Sequence, residues 1–340
     1  MEFTVNQIAG MLQGEVIGDG ASPVKTIGKI EDAQKGAITF LSNNKYEKFI
    51  YQTKATAVIV SEDFQPARPV EAALIKVKDP YSSFTKLLEE YDKISSFAKL
   101  GVEDPSFVAE SARVGENIYR GAFSYIGHNT TIGDNVKIYP HVYIGDNVSV
   151  GSNCIFYAGA RIYSGTEIGN GCTFHSGAVI GSDGFGFAPQ EDGSYKKIPQ
   201  LGNVIIKDNV EIGANTVVDC ATLGSTIVHE GVKLDNLVQL AHNVEIGSNT
   251  VIAGQSGISG STRLGKNCVV AGQVGVVGHI EIADGVTLAA KTGLARSVKK
   301  PGSVIFGNPG MDHKRYLRCH AVFRNLPELS QKVHDLEKKC

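Results

Sequence analysis

The chain has 340 residues, 42% of them apolar, enough for two domains or one elongated one with a buried core, and its charges sum to a formal −2. That balance excludes a global basic field for nucleic acid, so a charged partner must be met by a local patch. No apolar run is long enough for a transmembrane helix, and 39 glycines with no tryptophan lean away from helical composition toward turn-rich β structure.

In chain order, "MEFTVNQIAG" lacks the charged-then-apolar layout of a signal peptide, so a cytoplasmic location is expected. "TVNQIAGMLQG" predicts a short helix with Thr4 as N-cap, Val5, Ile8, Ala9 and Leu12 on one face, and Gly14 ending it. "KATAVIVSED" and "AALIKVKD" predict buried strands, and "YSSFTKLLEEY" a second helix with Phe84, Leu87, Leu88 and Tyr91 turned inward. Residues 1–100 therefore read as a small α/β domain.

From Val102 onward an aliphatic or aromatic residue recurs every sixth position through Ile180, with Arg120 as the exception. A second train runs from Ile206 through Val218, slips by four residues to Val228, and continues through Leu240 and Ile246 to Leu294. A period of six fits neither a helix nor a long half-buried strand. It fits a hexapeptide parallel β-helix, three hexapeptides to a triangular coil, with residues eighteen apart stacked on neighbouring coils. Gly after the aliphatic residue and Asn shortly after it, as in "IGHNTT" and "IGSNTV", supply the corners. Cys154, Cys172 and Cys268 each follow a guide residue by four and read as small core fillers; with no C-x-x-C pair among the six cysteines, all are expected to be reduced.

Between Ile180 and Ile206 the register breaks into "GSDGFGFAPQEDGSYKKIPQLGN", which predicts an insertion, 181–203, looped out of a solenoid spanning 101–300. "KKPGSVIFGNPG" stops the coil, and 301–340 reads as a helical extension interrupted near Pro327.

Of nine histidines, His242 in "NLVQLAHNVEIG" stands out. Eighteen residues on lies Gly260, whose unobstructed backbone N–H is placed to receive an oxyanion near a base. Asp235, one face back, is a candidate carboxylate to orient the imidazole. The rival reading, a simple turn histidine, stays open on periodicity alone. A zinc site of three histidines is disfavoured, since no close pair of histidines lies in the solenoid. Near the end of the coil Lys291, Arg296, Lys299, Lys300, Lys314, Arg315 and Arg318 face one acid, Asp312, a ledge suited to an acidic protein or a phosphate-bearing cofactor, or else a solvated face. "GSDGFGF" lacks the strand–loop–helix context of a dinucleotide site.

Taken together, "ITFLSNNKY", "GSDGFGFAP", "KIPQLGNVII", "QLAHNVEIG", "GHIEIAD" and "FGNP" resemble the UDP-3-O-(3-hydroxyacyl)glucosamine N-acyltransferases of lipid A biosynthesis, over essentially the whole chain. The resemblance implies a left-handed parallel β-helix assembled as a homotrimer, mainly β, with the small N-terminal domain binding the uridine nucleotide. It implies transfer of a 3-hydroxyacyl group from acyl carrier protein to the 2-amine of UDP-3-O-acyl-glucosamine. The phosphopantetheine arm of the carrier belongs to the donor; no tightly bound cofactor and no metal are implied. His242 matches the general base, Gly260 the oxyanion site, Asp235 the orienting position and His279 a second histidine near the reacting groups. Phe40 and Tyr46 match the aromatic pair around uracil and Asn43 a polar contact to it. The basic ledge (Arg296, Lys299, Lys300, Lys314, Arg315, Arg318) becomes the carrier dock. "AAKTGLARS" is small-residued where some relatives carry bulky methionines near the acyl tail, which implies a longer acyl chain. The rivals are an O-acylating or acetyl-CoA-dependent relative acting on a nucleotide sugar, and a non-catalytic solenoid scaffold.

Overall fold

The alternation of "AVIVS" decides the first domain: Ala57 and Ile59 turn to one face of a strand, Val58 and Val60 to the other, and all four are buried. A computed structural model describes residues 2–307 and 310–338, the side chains of Asn44 and 92–96 excepted. In it the chain divides into two compact units, 1–99 and 100–340.

In the first unit Ala57–Ser61 lies in the middle of a five-stranded mixed sheet, between Ala73–Val77 and Ala37–Phe40. One face packs Ile38, Ile59 and Ile75 against Val5, Ile8 and Leu87 of the two helices; the other buries Val58, Val60 and Leu74 with Ile50. The first helix, Val5–Leu12, starts at Thr4 through a reciprocal capping box with Gln7. It ends on left-handed Gln13 (φ 57°) rather than on Gly14. Gly14 is needed for space instead, because a Cβ there would lie 2.8 Å from the Lys76 carbonyl. Helix Pro80–Ser96 buries Leu87 and leans Phe84 on the core, but Leu88 and Tyr91 are exposed, contrary to expectation. The helix meets the sheet on a stripe narrower than the full apolar face.

In the second unit each hexapeptide contributes one short strand, and the strands stack into three parallel sheets of 9, 11 and 10 strands among the described residues. Partners lie 18 residues apart, as Ile126 with Ile144 and Leu240 with Ile258. The guide residues from Ile126 to Leu294 form one continuous core, with Phe156 stacked on Phe174 at 4.8 Å. Val102 and Val114, in the first coil, are more than one-third exposed because no full coil lies beneath them. Cys154, Cys172 and Cys268 are buried among the guide residues, and threonines at equivalent inner positions are satisfied by carbonyls, as Thr250 Oγ1 is by Gly265 at 2.9 Å. Cys220 is a buried free thiol and Cys319 an exposed one; Cys340 lies outside the described residues.

The corner residues divide their work differently from the expectation. Asn takes the left-handed conformation, as Asn147 (φ 57°) and Asn249 (φ 56°) do, while the preceding glycine allows close approach. A Cβ on Gly247 would meet the backbone of Gly265 at 2.5 Å.

Two departures from the regular coil occur side by side. Ile168 pairs with Ile206 across a coil of 38 residues, which holds the insertion, and Ile206 pairs with Val228 across one of 22. The insertion carries a hairpin, Phe187–Pro189 against Tyr195–Lys197, and its base is tied by an ion pair between Lys197 and Asp183. The last residues fold into helices His313–Arg324 and Leu326–Glu337, the first capped by Asp312 and the second with Pro327 in its first turn. Asn308 and Pro309 of the "FGNP" segment lie outside the described residues.

Candidate active site

His242 follows the strand Gln239–Leu240 by two residues and is half-buried. Because Leu240 pairs with Ile258, the next coil brings Gly260 to its side. A Cβ added to Gly260 would lie 2.6 Å from His242 Nε2 and 2.7 Å from Cε1, so the imidazole fills the space a side chain there would need. The insertion packs on the same residue, since a Cβ on Gly184 would meet His242 Cβ at 2.8 Å. Among the described residues the Gly260 N–H engages no acceptor, whereas its carbonyl accepts the His279 N–H at 3.0 Å. His279 itself is exposed, two coils beyond Asn243 in the same corner column, about 10 Å along the axis at the usual strand spacing.

His242 Nδ1 lies 3.2 Å from Asn243 Oδ1. Near the corner sits a buried carboxylate, Asp219, that sequence reasoning missed. Asp219, paired in register with Ser182, accepts hydrogen bonds from Gln239 Nε2 at 2.9 Å and Ser182 Oγ at 3.2 Å. Burial pushes its carboxyl above the ordinary range; the bonds from Gln239 and Ser182 and the charge of His242 work against that shift. The sequence signal available was the interrupted hexapeptide register on both sides of Asp219.

Asp235 is not brought to His242 within the chain. Its Oδ2 accepts the Gly254 N–H at 2.9 Å and its Oδ1 the Asn236 N–H at 2.7 Å, at a different corner, where it lines an open cleft of about 660 Å³ with His175, Glu211 and Lys233. The step of seven residues from Asp235 to His242 crosses one corner, and that turn separates the two side chains.

Phe40 stacks on Phe84 with centroids 4.2 Å apart and meets Tyr81 edge-on, so one ring face is already covered. Tyr46 is 47% exposed at the end of the turn Asn44–Tyr46 and leans on Phe49 at 6.3 Å. Asn43 lies between them in sequence, exposed, its Oδ1 accepting the Lys45 N–H. Phe40 and Tyr46 share no ring contact among the described residues. Arg296, Lys299 and Lys300 at the end of the coil and Lys314, Arg315 and Arg318 on helix His313–Arg324 are all exposed, and none forms an ion pair among the described residues. No group of three or more His, Cys, Asp or Glu side chains placed to hold a metal occurs among those residues.

Beyond Gln239 the outward positions of the same sheet are Gly257, Gly275 and Gly293, with open space where each Cβ would be. A half-buried imidazole beside Gly260 and this bare floor lie on a solenoid of hexapeptides, and the class is that of the hexapeptide transferases. The bacterial transferase hexapeptide profile matches residues 111–146, 147–182 and 225–260, and that of UDP-3-O-(3-hydroxymyristoyl) glucosamine N-acyltransferase matches 22–90. The chain is 62% identical to the UDP-3-O-acylglucosamine N-acyltransferase of Cytophaga hutchinsonii, over 100% of this chain and 97% of that one. It is 59% identical to that of Bacteroides thetaiotaomicron, with the same coverage. A solved UDP-N-acetylglucosamine acyltransferase of Francisella novicida aligns with a TM-score of 0.48 and 21% identity, over 65% of this chain and 73% of that one. The chain belongs to the UDP-3-O-acylglucosamine N-acyltransferase family.

Proposed function

We propose that His242 is the general base for transfer of a 3-hydroxyacyl group from an acyl carrier protein thioester to the 2-amine of UDP-3-O-acyl-glucosamine. The observation that carries this reading is the placement of His242 Nε2 beside Gly260, whose N–H engages no other acceptor. The amine nitrogen attacks the thioester carbonyl carbon and a C–N bond forms. Nε2 takes the ammonium proton as the tetrahedral oxyanion develops against the Gly260 N–H. Collapse breaks the C–S bond, and the proton passes to the departing phosphopantetheine thiolate. The products are an amide and a free carrier thiol.

The floor at Gly257, Gly275 and Gly293 would accept the pantetheine arm or acyl chain, since nothing projects from it. Arg296, Lys299, Lys300, Lys314, Arg315 and Arg318 would dock the acidic carrier, and Phe40, Asn43 and Tyr46 the uracil. Because one face of Phe40 is covered by Phe84, uracil would use the other. Asp235 and His279 would act through groups other than a direct bond to His242 in the same chain. The working unit is a cytoplasmic homotrimer. A mass-spectrometric transfer assay with His242→Ala tests the reading: loss of N-acylation by about 10²-fold or more is expected, and wild-type turnover would overturn it.

A further inference from the structure

We infer that Asn243 is a positioning residue that holds His242 in the tautomer protonated at Nδ1, leaving the lone pair on Nε2, and that the backbone of the lengthened 22-residue coil fixes the orientation of its amide. The inference rests on His242 being the base.

Donors and acceptors around Asn243 fix the tautomer. Asn243 Nδ2 lies 2.9 Å from the Leu223 carbonyl, which only accepts, so this end of the amide must be the NH2 group. Asn243 Oδ1 lies 3.1 Å from the Thr222 N–H, which only donates, so the other end must be the oxygen. Two independent backbone groups thus fix the amide without appeal to the histidine. The atom facing His242 Nδ1 at 3.2 Å is therefore an acceptor, and Nδ1 must carry the proton. The free lone pair then falls on Nε2, the atom beside Gly260. Were the tautomer reversed, two lone pairs would face each other in a half-buried corner.

The clamp is built from both interruptions of the repeat. Thr222 and Leu223 lie in the stretch where the register slips, between Val218 and Val228. Thr222 Oγ1 in turn donates to Gln200 Oε1 at 2.8 Å, at the end of the insertion, and the Asn243 N–H donates to Thr226 Oγ1 at 2.9 Å. In the regular coils a corner N–H likewise donates to a side-chain oxygen one coil on, as His128 does to Asp146 Oδ1 at 2.7 Å; here the 22-residue coil brings both the Thr222 N–H and the Leu223 carbonyl to one amide.

Backbone conformation dictates the variants. Asn243 has φ 59°, where alanine is strained, so Asn243→Gly removes the amide without that strain and Asn243→Asp keeps the acceptor. In the full-length enzyme Asn243→Gly is expected to lower kcat about ten- to a hundredfold, part of the ~10²–10⁴ a general base supplies, with KM for the UDP-sugar unchanged. Asn243→Asp keeps the acceptor toward Nδ1 but sets its second oxygen against the Leu223 carbonyl, so it is expected to recover only part of the kcat lost in Asn243→Gly and to move the pH–rate limb of the base upward, because a carboxylate beside Nδ1 favours the imidazolium. The other titratable or charged groups around His242, namely Asp219, Asp183 with its partner Lys197 in the insertion, and His279 on the later coil, are common to all variants. ¹⁵N-histidine spectra should show a bare Nε2 in the wild type and a mixture of tautomers in Asn243→Gly. Wild-type kcat in Asn243→Gly would overturn the inference, as would equal losses in both variants without displacement of the pH limb. Full activity of His242→Ala would instead remove the base reading on which this one stands.

Discussion

At Gly260 the missing side chain is what shapes the corner around His242. Its backbone needs no left-handed angle, and what it supplies is the room taken by the imidazole, 2.6 Å from where a Cβ would be. Gly260→Ala should therefore push the ring out of line without unfolding the coil. The expected result is a loss of about 10²-fold in kcat/KM, the scale of an ångström-sized misplacement of a catalytic group, with an unchanged melting temperature. A steady-state assay paired with a thermal melt checks both. This contact was legible in the sequence, because residues 18 apart share a column. The companion at Gly184 was not, since the insertion obeys no period that would locate it. Nor was the partner of His242 legible: Asp235 was the acidic residue at a plausible spacing, but Asn243, adjacent in sequence, makes the bond.

At the scale of elements, each solenoid strand is short and owes its stability to neighbours on the coils before and after it. Ile246, buried and paired with Val228 and Leu264, stacks in the middle of the core. Ile246→Ala should cost about 2–5 kcal/mol through lost burial and the cavity left behind, read as a lower urea midpoint. An equivalent truncation at Val102, already exposed in the first coil, should cost well under 1 kcal/mol, within the range of ordinary surface changes. The strands and their inward residues followed from the sequence because a six-residue period repeats the same local conformation. The inward face of helix Pro80–Ser96 was overestimated, because an amphipathic pattern gives the direction of a face but the sheet beneath decides its width.

For the molecule as a whole, a net charge of −2 conceals the cationic segment at the end of the solenoid and on helix His313–Arg324. If the carrier docks there, its KM should rise several-fold between about 0.01 and 0.15 M ionic strength, as the screening length falls from about 30 to about 8 Å. The double variant Lys314→Glu, Arg315→Glu should weaken that dependence while leaving the KM for the UDP-sugar unchanged. A carrier KM indifferent to salt in the wild type would place the dock elsewhere. The sequence by itself determined the coil, its 18-residue column spacing and the inward residues, because the repeat encodes the same short-range geometry over and over. It also singled out His242. The tertiary structure alone decided what meets that histidine, because Gly184, Thr222 and Leu223 reach its corner from segments where the repeat breaks, and their hydrogen bonds depend on how those segments fold over the coil.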